Sequence, residues 1–246
     1  MQDRYAGDIG DFGKFGLLKF LAAENLRVGI NWYKAEPPKS EMNNEGEFLQ
    51  NDGKHKIKAK YFPCDEELAR TLLEISEHKD RSISMLQNAS LLPPSVVYYG
   101  AAVMKEQRQQ WHADALKAVA ACDVVFLDPD NGLIVKSVGK KSAKSVKYVF
   151  EEELRDYLSN GKSVVLYNHR PRRKPEVYFG EMAERFSKVD PLRGAYIFPI
   201  TFSKGTTRDY FMIAANSDHA VRMRTAAEKM TKGLWGNMGL CRLSMD

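Results

Sequence analysis

The sequence of 246 residues has few of the features that cross-link or anchor a protein. Its three cysteines, Cys64, Cys122 and Cys241, are widely spaced and form no Cys-x-x-Cys pair. Neither a disulfide framework nor a structural zinc site is therefore indicated. No apolar run approaches the ~18 residues that a membrane helix needs, and the polar first residues lack the apolar segment of a secretory signal. We expect a protein of the reducing cytoplasm with no membrane partner.

Charge of either sign is not in large excess. The chain has 37 Lys and Arg against 32 Asp and Glu, a formal net charge of +5, which alone identifies no partner. Apolar residues make up 43% of the chain and charged residues 28%, a balance typical of a globular protein with a sizeable core. At roughly 150 residues per domain, we expect one α/β domain over 1–246, with a loop or helical insertion around 36–95.

The second half of the chain alternates between strand and helix patterns. Continuous apolar runs at 122–128 and 162–168 are typical of strands buried in a parallel sheet. Segments 195–202 and 208–215 are joined by five residues, which indicates an antiparallel hairpin. Further short strands are expected at 26–33 and 96–99, and helices at 16–25, 64–78, 113–121, 146–158, 175–187 and 221–232. The pattern predicts a mostly parallel, Rossmann-like sheet with a C-terminal antiparallel hairpin.

The strongest candidate site follows the first of the two buried runs, at 128–132. Ligands of open α/β sheets bind outside the carboxyl ends of strands, and this segment places two carboxylates and an amide there. A plain turn is the alternative, because Asp, Pro, Asn and Gly are common turn residues. His169 ends the second run and could reach the same pocket. The candidate catalytic residues are Asp128, Asp130, Asn131 and His169, and no metal ligands are assigned.

A glycine-rich leader at 6–16 precedes the first helix. Its backbone N–H groups and Lys14 suit an anionic ligand, whereas a flexible leader with a helix N-cap is the alternative. No strand precedes the glycines, so the leader is not a dinucleotide-binding fingerprint. The candidate ligand-binding residues are Gly7, Asp8, Gly10, Asp11 and Lys14.

Positive charge gathers at 132–174. This segment has eleven Lys and Arg and four acidic residues, so it carries +7 while the rest of the chain carries −2. Such a surface attracts phosphate backbones, and a nucleic acid, RNA or DNA, is the expected partner; a solvated lysine-rich loop is the alternative. The candidate contact residues are Lys140, Lys141, Lys144, Arg170, Arg172, Arg173 and Lys174.

Together the motifs resemble class I S-adenosylmethionine-dependent methyltransferases. More narrowly, they are similar to the bacterial large-subunit ribosomal RNA adenine-N6 methyltransferases of the J type. The opening motif of that family, an Ala-Gly-Asn-like loop followed by Asp and Lys, is matched in spacing by Ala6, Gly7, Asp8, Asp11 and Lys14. Asp128-Pro129 matches the start of its Asp-Pro-Pro-Tyr strand tip. Segment 167–170, Tyr-Asn-His-Arg, is similar to the segment that ends its next strand.

The resemblance implies S-adenosylmethionine as the cofactor, with Lys14 at its carboxylate. It also implies methylation of a nucleic-acid amine, possibly adenine N6, with Asp128 accepting the amine and Asn131 orienting it. Two features differ from the family pattern. Asp130 and Asn131 stand where the family has Pro-Tyr, and segment 29–36 lacks the acidic-x-Gly-x-Gly motif expected after the first strand.

Two other classes of function stay open. One is a binding protein that keeps the methyltransferase fold without activity. The other is a metal-dependent nuclease or phosphatase that uses Asp128 and Asp130, because an apolar run followed by Asp-x-Asp resembles the nucleophile motif of haloacid-dehalogenase phosphatases. The sequence offers no paired Asp-Asp downstream to complete that motif. The sequence also leaves the oligomeric state open.

Overall fold

A seven-stranded mixed sheet forms the centre of the computed structural model, which describes residues 1–36 and 56–244. The strands are β1 Val28–Asn31, β2 Val97–Tyr99, β3 Val124–Leu127, β4 Gly132–Leu133, β5 Tyr148–Val149, β6 Ser163–His169, β7 Tyr196–Phe202, β8 Arg208–Ala214 and β9 Cys241–Leu243. The sheet order is β2–β1–β3–β6–β8–β7–β9, and β4 and β5 form a separate parallel pair. Strands β2, β1, β3, β6 and β7 share one direction, whereas β8 and β9 are reversed.

This sheet confirms the predicted α/β fold with a C-terminal hairpin. The reversed strand β8 lies between β6 and β7, and all seven of its residues are buried. Strand β7 begins at an exposed tyrosine, Tyr196, and lies farther from the sheet centre. The edge strand β9 was not predicted, because three residues are too short for an alternating pattern to stand out.

Helices cover both faces of the sheet. They are α1 Ile9–Ala23, α2 Glu66–Glu77, α3 Ile83–Asn88, α4 Arg108–Ala118, α5 Glu151–Ser159, α6 Pro175–Ser187, α7 Ser217–Lys232 and α8 Leu234–Asn237. In β3, Phe126 packs into the core beside α1 and α7, whereas Val125 and Leu127 pack into the core beside α5 and α6. Within 1–36 and 56–244, no helix combines the length and apolar character needed to cross a membrane.

Four helices begin elsewhere than the sequence suggests. Helix α4 starts at Arg108 rather than at 113, and α7 starts at Ser217 rather than at 221, because the Asn216 side chain caps it by accepting from the His219 N–H. Helix α1 starts at Ile9 rather than at position 16, because the Asp8 carboxylate caps it by accepting hydrogen bonds from the N–H groups of Gly10 and Asp11 at 2.6 and 3.0 Å. Helix α5 starts at Glu151 rather than near position 146, because the preceding residues form a 3-10 helix and then pair as β5 with β4. Of the insertion expected at 36–95, the described part contains α2 and α3, and 37–55 lies outside the described residues.

Gly7 fixes how the leader turns into α1. Its φ of +85° is in the left-handed region, and a Cβ atom at this position would lie 2.4 Å from the backbone oxygen of Leu72 in α2. We expect Gly7→Ala to lower the free energy of unfolding by at least about 2 kcal/mol, because both the strained backbone and the collision oppose the substitution. Urea unfolding followed by circular dichroism measures the change.

The matched control is Gly180→Ala within α6. A Cβ there meets no atom within 4 Å and its φ is ordinary, so stability should stay unchanged or rise by up to about 1 kcal/mol. Equal effects of the two substitutions would show that Gly7 is not constrained in this way.

Candidate active site

A polar cavity of about 290 Å³ lies at the carboxyl ends of β3 and β6. It adjoins the topological switch point of the sheet, which lies between β1 and β3. From β1 the chain continues to β2 on one side of this point, whereas from β3 it continues to β6 on the other side. Open α/β sheets bind their ligands at such points. The lining comes from residues within 1–14, the β3 tip at 128–131, Lys147, the β6 tip at 167–169 and the β7–β8 hairpin at 206–208.

The cavity brings together nearly all the catalytic and ligand-binding candidates of the sequence. The leader contributes Asp8, Gly10, Asp11 and Lys14, and the strand tips contribute Asp128, Asp130, Asn131 and His169. Gly7 does not line the cavity; its N–H donates to Oδ2 of Asp11 at 2.9 Å and so positions that carboxylate. Two segments more than a hundred residues apart in the chain therefore share one site.

Lys14 forms the centre of the site. Its ammonium donates to Oδ1 of Asp11 at 2.7 Å and to Oδ2 of Asp128 at 2.6 Å, and the exposures of the three side chains are only 4%, 2% and 4%. Burial opposes the charge of Lys14, but the two carboxylates outweigh it and raise the pKa of its ammonium. For Asp11 and Asp128, burial prevails over Lys14 and raises the pKa of each carboxyl above its ordinary value.

Asp128 presents one oxygen to the cavity. Its backbone is held by the N–H bond to the carbonyl of Asn31 at 3.0 Å, and its Oδ2 accepts from Lys14. Among the described residues, nothing donates a hydrogen bond to Oδ1 of Asp128. A carboxylate oxygen with a raised pKa and an open face is suited to accept an N–H or O–H group from a ligand.

Asp130 is held differently from Asp128. Its Oδ1 lies 3.1 Å from the Met1 ammonium, Gln2 donates a hydrogen bond to its Oδ2, and the Lys147 ammonium lies 3.8 Å away. Burial alone would raise the pKa of Asp130, but these partners outweigh it and lower the pKa. The Met1 ammonium also donates to the two carbonyls that directly follow β1. Residues 1 and 2 therefore cover the carboxyl end of that strand.

The opposite wall comes from β6 and β8. Burial raises the pKa of Tyr167 to about 12, so its phenol stays protonated at neutral pH. Burial and the nearby Arg208 guanidinium lower the pKa of His169, so its imidazole is neutral at pH 7. Tyr167, Lys147 and Arg208 line the cavity but were not predicted as site residues. The signal in the sequence for Arg208 is the pair of charges, Arg208 and Asp209, that begins an otherwise apolar strand.

Asn131 and His169 also line a second cavity of about 290 Å³. The carbonyl of Asn131 accepts a hydrogen bond from the His169 N–H at 3.1 Å, which fixes the two strand tips side by side. The other walls of the second cavity are more apolar, with Leu133, Val135, Pro171 and Met182 among them, although Arg173, Glu181 and Arg185 also line it. The two cavities thus share a polar partition.

The predicted nucleic-acid contact residues lie outside the first cavity and fall into two groups. Arg170 is almost buried, and its guanidinium donates to Asp209 at 2.8 and 2.5 Å, tying β6 to β8. Arg173 pairs with Glu181, and Lys140 pairs with Glu152, both at 2.5 Å. The exposed candidates that form no ion pair within the described part of the chain are Lys141, Lys144, Arg172 and Lys174.

No family model matches this chain, and neither does any curated protein or solved structure in the comparisons. In the described ranges, no three His, Cys, Asp or Glu side chains group closely enough to hold a metal ion. What the site offers chemically is an open carboxylate oxygen, a neutral imidazole and a protonated phenol. These groups suit an amine that must be oriented and relieved of a proton.

We expect Lys14→Met to lower the free energy of unfolding by about 3–5 kcal/mol, because it leaves the buried carboxylates of Asp11 and Asp128 without their cation. Lys19→Met is the matched control. Lys19 pairs with Asp65 at 2.6 Å, but its side chain is 36% exposed, so its loss should cost less than about 1 kcal/mol. Urea unfolding of both variants compares them. Similar losses would contradict a central role for Lys14.

Proposed function

We propose that this protein is an S-adenosylmethionine-dependent methyltransferase that acts on an exocyclic amine in nucleic acid, with adenine N6 as the favoured target. The observation that carries the proposal is the contact between Lys14 and Asp128, whose side chains meet at 2.6 Å across 114 positions of sequence. Each belongs to a motif that resembles the adenine-N6 family. The two motifs are separate in the sequence and line the same cavity in the fold.

The sheet supports the same proposal. A parallel sheet followed by an antiparallel hairpin is the architecture that the resemblance implies, and the cavity lies at the strand tips where such a sheet binds ligands. The site also departs from the family pattern, since Met1 covers the end of β1 and Asp130 is held by Met1 and Gln2. The ligand therefore has to be accommodated beside β3 and β6 rather than over β1.

The charged groups of the cavity fit the methionine end of S-adenosylmethionine. That end carries an ammonium, a carboxylate and a sulfonium, and the lining offers carboxylates as well as cations. Oδ2 of Asp8 would hold the ammonium and Lys147 the carboxylate; the third N–H of Lys14, which is directed at Met1 Sδ at 3.9 Å, would turn to the carboxylate when the ligand is bound. At about 290 Å³ the cavity lies near the lower limit of ligand pockets, roughly 300–1,000 Å³, so it suits this end of the molecule.

When bound, S-adenosylmethionine supplies an electrophilic methyl group. The protein's own task is to hold the amine and to take its proton. Oδ1 of Asp128 accepts one N–H of the amine, and the raised pKa of this carboxyl makes it a stronger base than an ordinary aspartate. Transfer of the methyl group from the sulfonium to the amine would leave S-adenosylhomocysteine as the co-product, and the proton that the amine loses would pass to Asp128. Lys14 keeps Asp128 in place through Oδ2, and Asn131 orients the amine at the partition between the cavities.

We expect Asp128→Asn to reduce methyl transfer to nucleic acid at least about 100-fold, because an amide cannot accept the proton. Transfer of labelled methyl groups measures it. Calorimetric titration with S-adenosylhomocysteine should give an affinity within threefold of the wild type, since Lys14 retains Asp11 as a partner.

The control for this experiment is Asp114→Asn on the surface of α4, which should retain full turnover. Undiminished transfer by Asp128→Asn would contradict the assigned role of Asp128. Magnesium-dependent cleavage of the substrate by the wild type would instead favour the nuclease class.

Binding of the nucleic acid is proposed to use the exposed residues Lys141, Lys144, Arg172 and Lys174. Replacing all four by Ala should reduce the slope of log affinity against log salt by roughly 0.7–0.9 for each residue that neutralises a phosphate. Fluorescence anisotropy with labelled RNA and DNA at several salt concentrations measures the slope. Lys229→Ala/Lys232→Ala on α7 is the control and should keep the wild-type slope. An unaltered slope in the fourfold variant would contradict this surface.

A further inference from the structure

Arg208 is a buried cation without a counter-ion in the part of the chain that the structure describes. The residue is 4% exposed, and its guanidinium makes one hydrogen bond, from Nη2 to the Thr206 hydroxyl at 2.8 Å. Its Nε is buried and has no hydrogen-bond partner. No carboxylate oxygen of the described residues lies within 4.0 Å of it. An unpaired buried charge is costly, so a partner from outside the chain would stabilise it.

Two other deeply placed arginines, Arg108 and Arg170, have the carboxylate partner that Arg208 lacks among the described residues. Arg108 donates to both oxygens of Glu153 at 2.6 and 2.9 Å, and Arg170 donates to both oxygens of Asp209 at 2.5 and 2.8 Å. Both are therefore neutralised within the chain. Arg208 alone among the three lines the polar cavity, so its guanidinium lies beside the space that a ligand would occupy.

The surroundings of Arg208 keep its guanidinium at the cavity wall. It lies 5.7 Å from the ring centre of Phe202. At Gly10, a Cβ atom would come within 2.1 Å of Nη1 of Arg208, so glycine at this position leaves the room that the guanidinium needs. The protonated phenol of Tyr167 and the ammonium of Lys147 line the same cavity and add further donors.

Three of the four carboxylates that line the cavity in the described residues are already ion-paired. Asp11 and Asp128 share Lys14, and Asp130 is held by the Met1 ammonium and Gln2. Asp8 caps α1 through Oδ1 alone. Burial opposes the charge of Arg208, and the nearby tyrosines together with Asp8 and Asp11 raise the pKa of its guanidinium, but no carboxylate of the described residues pairs with it directly. A direct anionic partner for Arg208 therefore has to come from a ligand.

We propose that Arg208 binds a phosphate group of the nucleic-acid substrate in the cavity where Asp128 acts. This inference rests on the proposed function and adds a phosphate-binding residue to it. A guanidinium fork presents parallel N–H donors that match two phosphate oxygens. The protonated phenol of Tyr167, which lines the same cavity, would donate to a third oxygen. Because Arg208 and Asp128 line one cavity, the bound phosphate holds its nucleotide within reach of the carboxylate.

The test compares adenosine 5′-monophosphate with adenosine by calorimetry at constant ionic strength. The wild type should bind the monophosphate at least tenfold more tightly, and Arg208→Gln should lose that difference while keeping its affinity for adenosine. Arg208→Lys keeps the positive charge but lacks the parallel N–H donors of the guanidinium, so it should retain part of the difference in affinity between the monophosphate and adenosine. Arg70→Gln is the control, since Arg70 pairs with Glu66 on the exposed surface of α2, and it should behave as the wild type.

Folding provides a second readout. Because Arg208 forms no ion pair with any described residue, Arg208→Gln should unfold at the same urea concentration as the wild type or a higher one. Inorganic phosphate should raise the melting temperature of the wild type but not that of Arg208→Gln. A variant that unfolds much more readily without phosphate would show that Arg208 is satisfied within the chain, which would overturn the proposal.

Two further outcomes would also overturn it. One is equal affinity of the wild type for adenosine and its monophosphate. The other is a loss of S-adenosylhomocysteine affinity in Arg208→Gln with the monophosphate preference intact, which would assign Arg208 to the carboxylate of the cofactor. Failure of the proposed function would look different. The protein would then neither transfer methyl groups nor bind S-adenosylhomocysteine, but it would still bind adenosine 5′-monophosphate more tightly than adenosine.

Discussion

The ion cluster of Lys14 with Asp11 and Asp128 is the interaction on which the rest of the site depends. An ammonium can be this deeply buried only where carboxylates surround it, so the start of α1 has to lie against the tip of β3. Gly7 donates to Asp11, and its left-handed backbone allows the leader to pass close to α2. The course of the leader, the placement of α1 and the shape of the cavity follow from that contact.

The same burial accounts for the chemistry that the site offers. Removing Asp128 from water raises the pKa of its carboxyl, while Lys14 occupies only one of its oxygens. On the opposite wall, burial together with Arg208 keeps His169 neutral. Asn131 and His169 line both this cavity and a second one that has fewer charged residues.

Much of the fold could be read from local patterns. The apolar runs that end at Asp128 and Asn168 became β3 and β6, the five-residue connection became the β7–β8 hairpin, and the predicted helix at 175–187 has the same bounds as α6. The predicted starts of α1, α4, α5 and α7 were wrong. Side-chain caps decide where α1 and α7 begin, and a short strand pair decides where α5 begins. Both motifs of the candidate site were visible in the sequence, but only as separate segments.

The sequence by itself determined where apolar runs, glycines and charges lie, and with them the fold class and the candidate residues. Tertiary structure alone decided which charges are neutralised. Arg170 and Arg208 have the same side chain, yet Arg170 lies against Asp209 and Arg208 faces a cavity without a carboxylate partner in the described residues. The physical reason is that burial and ion pairing depend on distances between residues far apart in the chain, and only the folded sheet sets those distances.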